Sequence, residues 1–178
     1  MRNPDALVKV SVGMGKNTLR NQIWYKIIDK LNKEKIDYVV VGATALVIHG
    51  LPRSTLDIDI YIPARAEMLN KLFLVAHKLR LQSAQEDILN LSHLPNLYVN
   101  QWLCFSYRGQ DILDVFLAEE QEFQRLLKNS QVKKDGNFLV RIASLKDIIR
   151  MKKSSARPID LADLELIKEY KKYRKNYK

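Results

Sequence analysis

The stretch GATALVIHGLPRSTLDIDIY, residues 42–61, decides the fold. It opens on a small-residue turn, Gly42-Ala43, and runs on through residues 43–49 with short helical character. Gly50, Pro52 and Ser54 mark a loop. Arg53 and Thr55 then lead into Asp57-Ile58-Asp59. Residues 56–62 read as an extended segment, and carboxylates two positions apart in such a segment leave the same sheet face. Just upstream, Tyr38-Val39-Val40-Val41 is apolar and β-branched and reads as a buried strand. A strand that ends in Gly-Ala and turns into a helix presents backbone N–H groups to a phosphate.

On either side the pattern alternates helix and strand. Leu19, Ile23, Trp24, Ile27, Ile28 and Leu31 form one apolar stripe, which predicts a helix to about Lys35 with Asn17 or Thr18 as its cap. Downstream, Pro63 is expected to open a helix with Met68, Leu69, Leu72, Phe73, Ala76 and Leu79 on its buried face. Residues 97–107 have strand character, Arg108-Gly109-Gln110 reads as a hairpin turn, and residues 111–117 form a third core strand. Residues 119–127 read as a helix. Asp135-Gly136 signals a hairpin between residues 132–134 and 138–142. Ser144 and Asp147 make a capping box for a helix to about Lys153, residues 154–156 link, and Pro158 opens a last helix with Leu161, Leu164, Ile167 and Tyr170 inward. The expected organisation is an N-terminal basic segment and helix (1–35), a core (36–143), and C-terminal helices with a basic tail (144–178).

Three aspartates stand out chemically. Asp57 and Asp59 share the extended segment, and Asp114 lies between Leu113 and Val115 inside an apolar strand. A carboxylate in such a strand is costly unless it meets a cation or a donor. Asp111 competes for the same role but begins its strand beside a turn, so Asp114 is preferred. Three aspartates on adjacent strands suit hard divalent ions, and with the Gly42 turn they suit metal-assisted phosphoryl chemistry. Arg53 and Thr55 stand where a cation and a hydroxyl reach phosphate oxygens. Gly13-Met14-Gly15-Lys16 is no phosphate-binding loop, because Val10 stands where that motif needs glycine.

The net charge of +10 is uneven: residues 1–35 and 151–178 each carry a net +5, and the middle sums to zero. Such ends favour a polyanionic partner, nucleic acid above all. Tyr170, Tyr173 and Tyr177 interleave with lysines in the tail, a pattern for base stacking and phosphate neutralisation or for a plain helix end. No apolar run approaches the roughly 20 residues of a membrane span, and the first residues lack a secretory core. Cys104 is the single cysteine, which favours a reducing, cytoplasmic compartment and a small hydrophobe rather than a nucleophile. His77 and His93 have no zinc-ligand spacing with it.

At Gly42-Ala43, Asp57-Ile58-Asp59 and Asp114 the chain resembles the nucleotidyltransferase-fold, polymerase-β-like superfamily. The longer string from Gly42 through His49-Gly50 to Asp59 is similar to the branch of abortive-infection toxin nucleotidyltransferases. So is Met151-Lys152 followed by Arg157-Pro158-Ile159-Asp160-Leu161-Ala162-Asp163. The resemblance implies an α/β nucleotidyltransferase fold, with a small mixed central sheet flanked by helices and a C-terminal helical part. It implies transfer of a nucleoside monophosphate from an NTP, with two Mg²⁺ or Mn²⁺ ions on Asp57, Asp59 and Asp114. Gly42, Ala43, Thr44, Arg53, Thr55 and Lys152 would bind the nucleotide, with Lys153 the neighbour that competes for that role. Ala43 departs from the family's serine, and Thr44 is the nearest hydroxyl. His49 matches a family position, as a structural histidine or one that orients Asp57. RNA or tRNA is the implied acceptor and a cognate antitoxin the implied partner. A non-catalytic binding module and an aminoglycoside-type enzyme are the alternatives.

Overall fold

The computed structural model describes residues 19–91, 93–135 and 138–176. The cap expected at Asn17 or Thr18, the excluded phosphate loop, the Gly136 turn and Tyr177 lie outside them. The elements are α1 (Leu19–Lys33), β1 (Val39–Val40), α2 (Gly42–Ile48), β2 (Ile58–Pro63), α3 (Ala66–Leu79), a 3₁₀ turn (Glu86–Leu91), α4 (Pro95–Tyr98), β3 (Trp102–Tyr107), β4 (Gln110–Ala118), α5 (Glu120–Asn129), β5 (Gln131–Asp135), β6 (Phe138–Ile142), α6 (Leu145–Ser155) and α7 (Pro158–Asn176). The strands form one mixed sheet in the order β3-β4-β2-β1-β6-β5. The β1–β6 and β2–β4 pairs are parallel; the others are antiparallel.

Alternation along the central strands separates two faces. Ile58, Ile60 and Ile62 of β2, Leu113, Val115 and Leu117 of β4, and Leu103 and Phe105 of β3 are buried. Burying such side chains contributes about 1.5–3 kcal/mol each. Helix α3 covers this face, with Phe73 tilted against Phe105 at 5.4 Å between ring centres. The intervening residues Asp59, Tyr61, Asp114, Phe116 and Cys104 are only partly buried and share the opposite, open face.

Several boundaries differ from the sequence reading. The extended segment starts at Ile58, so Asp57 sits in the loop before β2. Pro63 ends β2 instead of opening a helix. The pairing with β4 continues past it, with Ala64 N–H donating to Ala118 O at 2.8 Å, and α3 begins only after Arg65. Residues 97–107 are not one strand: the fully buried Tyr98 closes the one-turn α4, Asn100 takes φ +63°, and β3 begins at Trp102. Ser154 and Ser155 still belong to α6, and the break falls at Ala156 with φ +51°. In α7, Ile167 is buried but Leu161 is exposed. Its inward face is carried by Asp160 and Asp163. Among the described residues no helix is long and apolar enough to cross a membrane.

The capping box forms as the sequence predicts. Asp147 N–H donates to Ser144 Oγ at 3.1 Å, and Ser144 Oγ donates to Asp147 Oδ2 at 2.7 Å. Asp147 is buried and also ion-paired with Arg125 of α5, so one carboxylate fixes both the start of α6 and its packing. Asp147→Ala keeps the backbone N–H that Ser144 caps but removes the buried carboxylate held by the Ser144 hydroxyl and by Arg125, which retains Glu122. Urea denaturation should show a loss of about 2 kcal/mol; an unchanged midpoint would contradict this role.

Candidate active site

The acids meet through strand register. Asp59 of β2 is the direct partner of Asp114 of β4 in the parallel pair, and Cys104 of β3 is the partner of Asp114 on the other side. Asp57, one residue before β2, faces the same open cavity of about 580 Å³. Asp111, the rival of Asp114, is exposed at the start of β4.

Gly42 makes the closest approach to this row. It begins α2 at φ +61°, a conformation that favours glycine. A Cβ there would lie 1.9 Å from Asp59 Oδ2. The strand end and Asp59 are tied further by Val41 N–H donating to Asp59 O at 2.9 Å. Thr44 is buried, and its hydroxyl donates to the Asp57 carbonyl at 2.7 Å. It thus holds the loop and is not among the cavity-lining residues. Thr55 Oγ donates to Asp57 Oδ1 at 2.8 Å.

The opposite wall carries paired charges of both signs and comes from α6, α7 and the loop before β2. Lys152 is buried, with Nζ 2.7 Å from Asp163 Oδ2 and 3.0 Å from Asp160 Oδ1. Its neighbour Lys153 is exposed, which leaves Lys152 as the lysine on the cavity. Arg53 Nε donates to Asp163 Oδ1 at 2.8 Å, and Arg157 Nε donates to Asp160 Oδ2 at 2.7 Å. The result is a chain of alternating charge, Arg53–Asp163–Lys152–Asp160–Arg157. Burial opposes ionisation of Asp160, but Arg157, Lys152 and Ser155 overcome it and hold its pKa well below the carboxylate range. Asp160, Asp163 and Arg157, part of the resemblance at residues 151–163, are thus site residues that the sequence pattern alone does not place. Their three-residue spacings, which put them on one side of a helix, were the available signal.

His49 lies behind the cavity. Its ring bonds Ala143 O at 2.8 Å, and its own carbonyl accepts from the Tyr170 hydroxyl at 2.7 Å. Burial lowers its pKa. It therefore joins α2 to the β6–α6 junction and to α7, and neither of these bonds touches Asp57.

The electrostatics of the acid row are strained. Burial, then Asp57 and Asp114, push Asp59 up to about 7 from an ordinary 3.8. Burial, opposed by the Cys104 hydrogen bond and aided by Asp57, also raises Asp114. The Cys104 thiol is pushed up to about 12 by burial and by Asp114 and Asp111, which makes it a poor nucleophile. Among the described residues no three His, Cys, Asp or Glu side chains stand in ready-made metal geometry. Asp57 turns to a local donor instead, the Thr55 hydroxyl, while Cys104 and Trp102 lie near Asp114 and favour its ionised form. Asp59 and Asp114 are register partners and Asp57 lines the same cavity, so the three supply oxygen donors of the kind hard divalent cations take.

Comparison with known proteins agrees with this architecture. Residues 23–102 match the family described as "Nucleotidyltransferase of unknown function (DUF6036)". That segment contains the Gly42 turn, Asp57 and Asp59. The fold is similar to a candidate nucleotidyltransferase of Thermotoga maritima, at 14% identity and a TM-score of 0.54, over 88% of this chain and 92% of that one. It is also similar to an antigenic nucleotidyltransferase-like protein of Paracoccidioides brasiliensis, at 17% identity and a TM-score of 0.53, over 83% of this chain and 74% of that one. No curated protein matches. The fold is thus nucleotidyltransferase-like, and the superfamily named from the sequence is supported at that level.

The elevated pKa of Asp59 has a sign that can be tested. Without metal the folded state holds this proton more tightly than the unfolded chain does. The contribution is fully present below the unfolded value of 3.8 and is lost as pH rises through about 7. His49, with a lowered pKa, acts in the opposite direction, so the readout is the difference between wild type and Asp59→Asn. In EDTA the wild-type Tm should fall relative to Asp59→Asn between pH 5 and pH 8. Parallel curves would contradict the crowding.

Proposed function

We propose that the protein transfers a nucleoside monophosphate from an NTP to a hydroxyl acceptor. The observation that carries this reading is the single cavity in which Asp57, Asp59 and Asp114 face Arg53 and Lys152 beside the Gly42 turn. In the reaction the acceptor oxygen bonds to the α-phosphorus. The bond from that phosphorus to the bridging oxygen breaks, and pyrophosphate departs with the electron pair.

Asp57, Asp59 and Asp114 are the residues to hold one or two Mg²⁺ or Mn²⁺ ions. When bound, such ions neutralise phosphate charge and lower the pKa of an attacking hydroxyl. Asp59 and Asp57 serve the donor side, next to the backbone of Gly42 and Ala43. Asp114, one strand further from that turn, takes the proton of the acceptor. Arg53 and Lys152 offer positive charge to the triphosphate. Their aspartate partners hold both side chains in place, so little orientation remains to be lost when a nucleotide binds.

The likeness of residues 151–163 to the abortive-infection branch supports a toxin-like role within this reaction class, in a reducing compartment and with an antitoxin as partner. The basic tail supports an acidic acceptor.

Labelled NTPs, Mn²⁺ or Mg²⁺ and a panel of RNA, protein and aminoglycoside acceptors test the proposal. Asp57→Asn with Asp59→Asn should cut label transfer by at least about 10²-fold, the scale for losing a charge-stabilising group in an active site. Transfer that survives the double substitution would refute it.

A further inference from the structure

A second row of side chains runs beside the acids. Trp102 of β3 is the direct partner of Phe116 of β4, and Phe116 is the partner of Tyr61 of β2. Each lies two residues from a member of the row Cys104, Asp114 and Asp59, so the two rows share the open face. The Tyr61 and Phe116 rings stack at 5.2 Å and 23°, and both line the cavity.

Trp102 is 46% exposed, whereas Trp24 is 6% exposed in the core. Its backbone is nevertheless firmly held. Gln85 Nε2 donates to Trp102 O at 3.1 Å, Cys104 N–H donates to Gln85 Oε1 at 3.0 Å, and Gln85 N–H donates to Ser83 Oγ at 3.2 Å. The indole lies near enough to Asp114 to favour its carboxylate form. This is a large aromatic ring on a fixed strand, close to one of the three acids and 46% exposed. Tryptophan is enriched at interfaces, where one end of the ring system is apolar and the other can reach a polar partner.

The order of strands gives the row its direction. Across the open face run β1, which leads into Gly42, then β2 with Asp59, β4 with Asp114, and edge strand β3 with Trp102. The donor phosphates belong at the Gly42 end, where Arg53 and Lys152 lie. Tyr61 and Phe116 share strands with Asp59 and Asp114, and Trp102 lies on the strand beyond Asp114, at the end away from Gly42.

Resting on the transfer reaction proposed above, we infer that Trp102, Phe116 and Tyr61 seat the unpaired terminal base of a single-stranded nucleic-acid acceptor. Every base has a π face, and stacking on an aromatic side chain is tolerant of sequence. The net charge of +10 attracts a polyanion. An aminoglycoside is polycationic and has no planar aromatic ring to stack on this row. A hydroxyl on a protein surface generally arrives without one. The attacking oxygen is therefore a ribose hydroxyl of the stacked nucleotide, and Trp102 is a positioning residue for it.

Binding without turnover tests this. Trp24→Phe leaves Trp102 the sole tryptophan; the buried Trp24 indole N–H has no partner among the described residues, so the change forfeits no hydrogen bond. A single-stranded RNA dodecamer should quench Trp102 emission. In the wild-type background, fluorescence anisotropy with the labelled dodecamer should show Trp102→Ala weakening binding about ten-fold and Trp102→Phe keeping most of it. A closed RNA hairpin without an unpaired end should bind less tightly than the dodecamer. Absent quenching, Trp102→Ala binding as tightly as wild type, or equal affinity for the hairpin would overturn the inference. Calorimetry with ATP and Mg²⁺ separates the two readings. If ATP binds and RNA ignores Trp102, the base platform falls while the transfer reaction stands. If ATP fails to bind but RNA stacks on Trp102, the platform stands and the transfer reaction falls.

Discussion

Asp59 and Asp114 lie side by side on parallel strands, half-buried, with Asp57 facing the same cavity. Like charges placed this way repel, and the protein has no room to relieve them on the Gly42 side, where a single methyl would collide with Asp59. The fold keeps a concentration of negative charge that serves no packing purpose. Ile58, Ile60, Leu113 and Val115, on the buried face of the same strands, hold that register. A divalent cation is the natural counterweight to such a cluster.

The cavity also depends on a second electrostatic system. The chain from Arg53 through Asp163, Lys152 and Asp160 to Arg157 ties the loop before β2 to α6 and α7. Lys152, Asp160 and Asp163 are buried and each has two partners, so removal of one takes a partner from its buried neighbour, a larger loss than that of a surface pair. The C-terminal helices are thus part of the cavity wall. His49 reinforces the same connection by holding Ala143 and accepting from Tyr170. Loop, helix pair and acid row form one unit, with carboxylates on the sheet facing a wall of alternating positive and negative charge on the loop and helices.

The central features were legible because they violate simple patterns. Asp114 interrupts an apolar strand, and Gly42 ends a β-branched run, so each called for a reason beyond packing. Ser144 and Asp147 carried their own signature. Pro63 misled because proline suits both the first turn of a helix and a position whose N–H is not needed by the sheet. Residues 97–107 misled because the apolar Leu97, Tyr98 and Val99 precede a true strand without an obvious break. The outward turn of Leu161 followed from a competing demand on α7: the face opposite it must present Asp160 and Asp163 to Lys152. The row of Trp102, Phe116 and Tyr61 was beyond the sequence altogether, because it exists only through the register of three strands.

Anomalous diffraction from crystals grown with Mn²⁺ and a non-hydrolysable NTP analogue tests the central claim most directly. Manganese scatters strongly enough to be placed without assuming where it lies. The account requires at least one manganese bonded to carboxylate oxygens of Asp59 and of Asp57 or Asp114, with the analogue's phosphates on the side of Gly42 and Arg53. Manganese found elsewhere, or an Asp57 that keeps its bond to Thr55 with the analogue bound and no metal on the acid row, would contradict it.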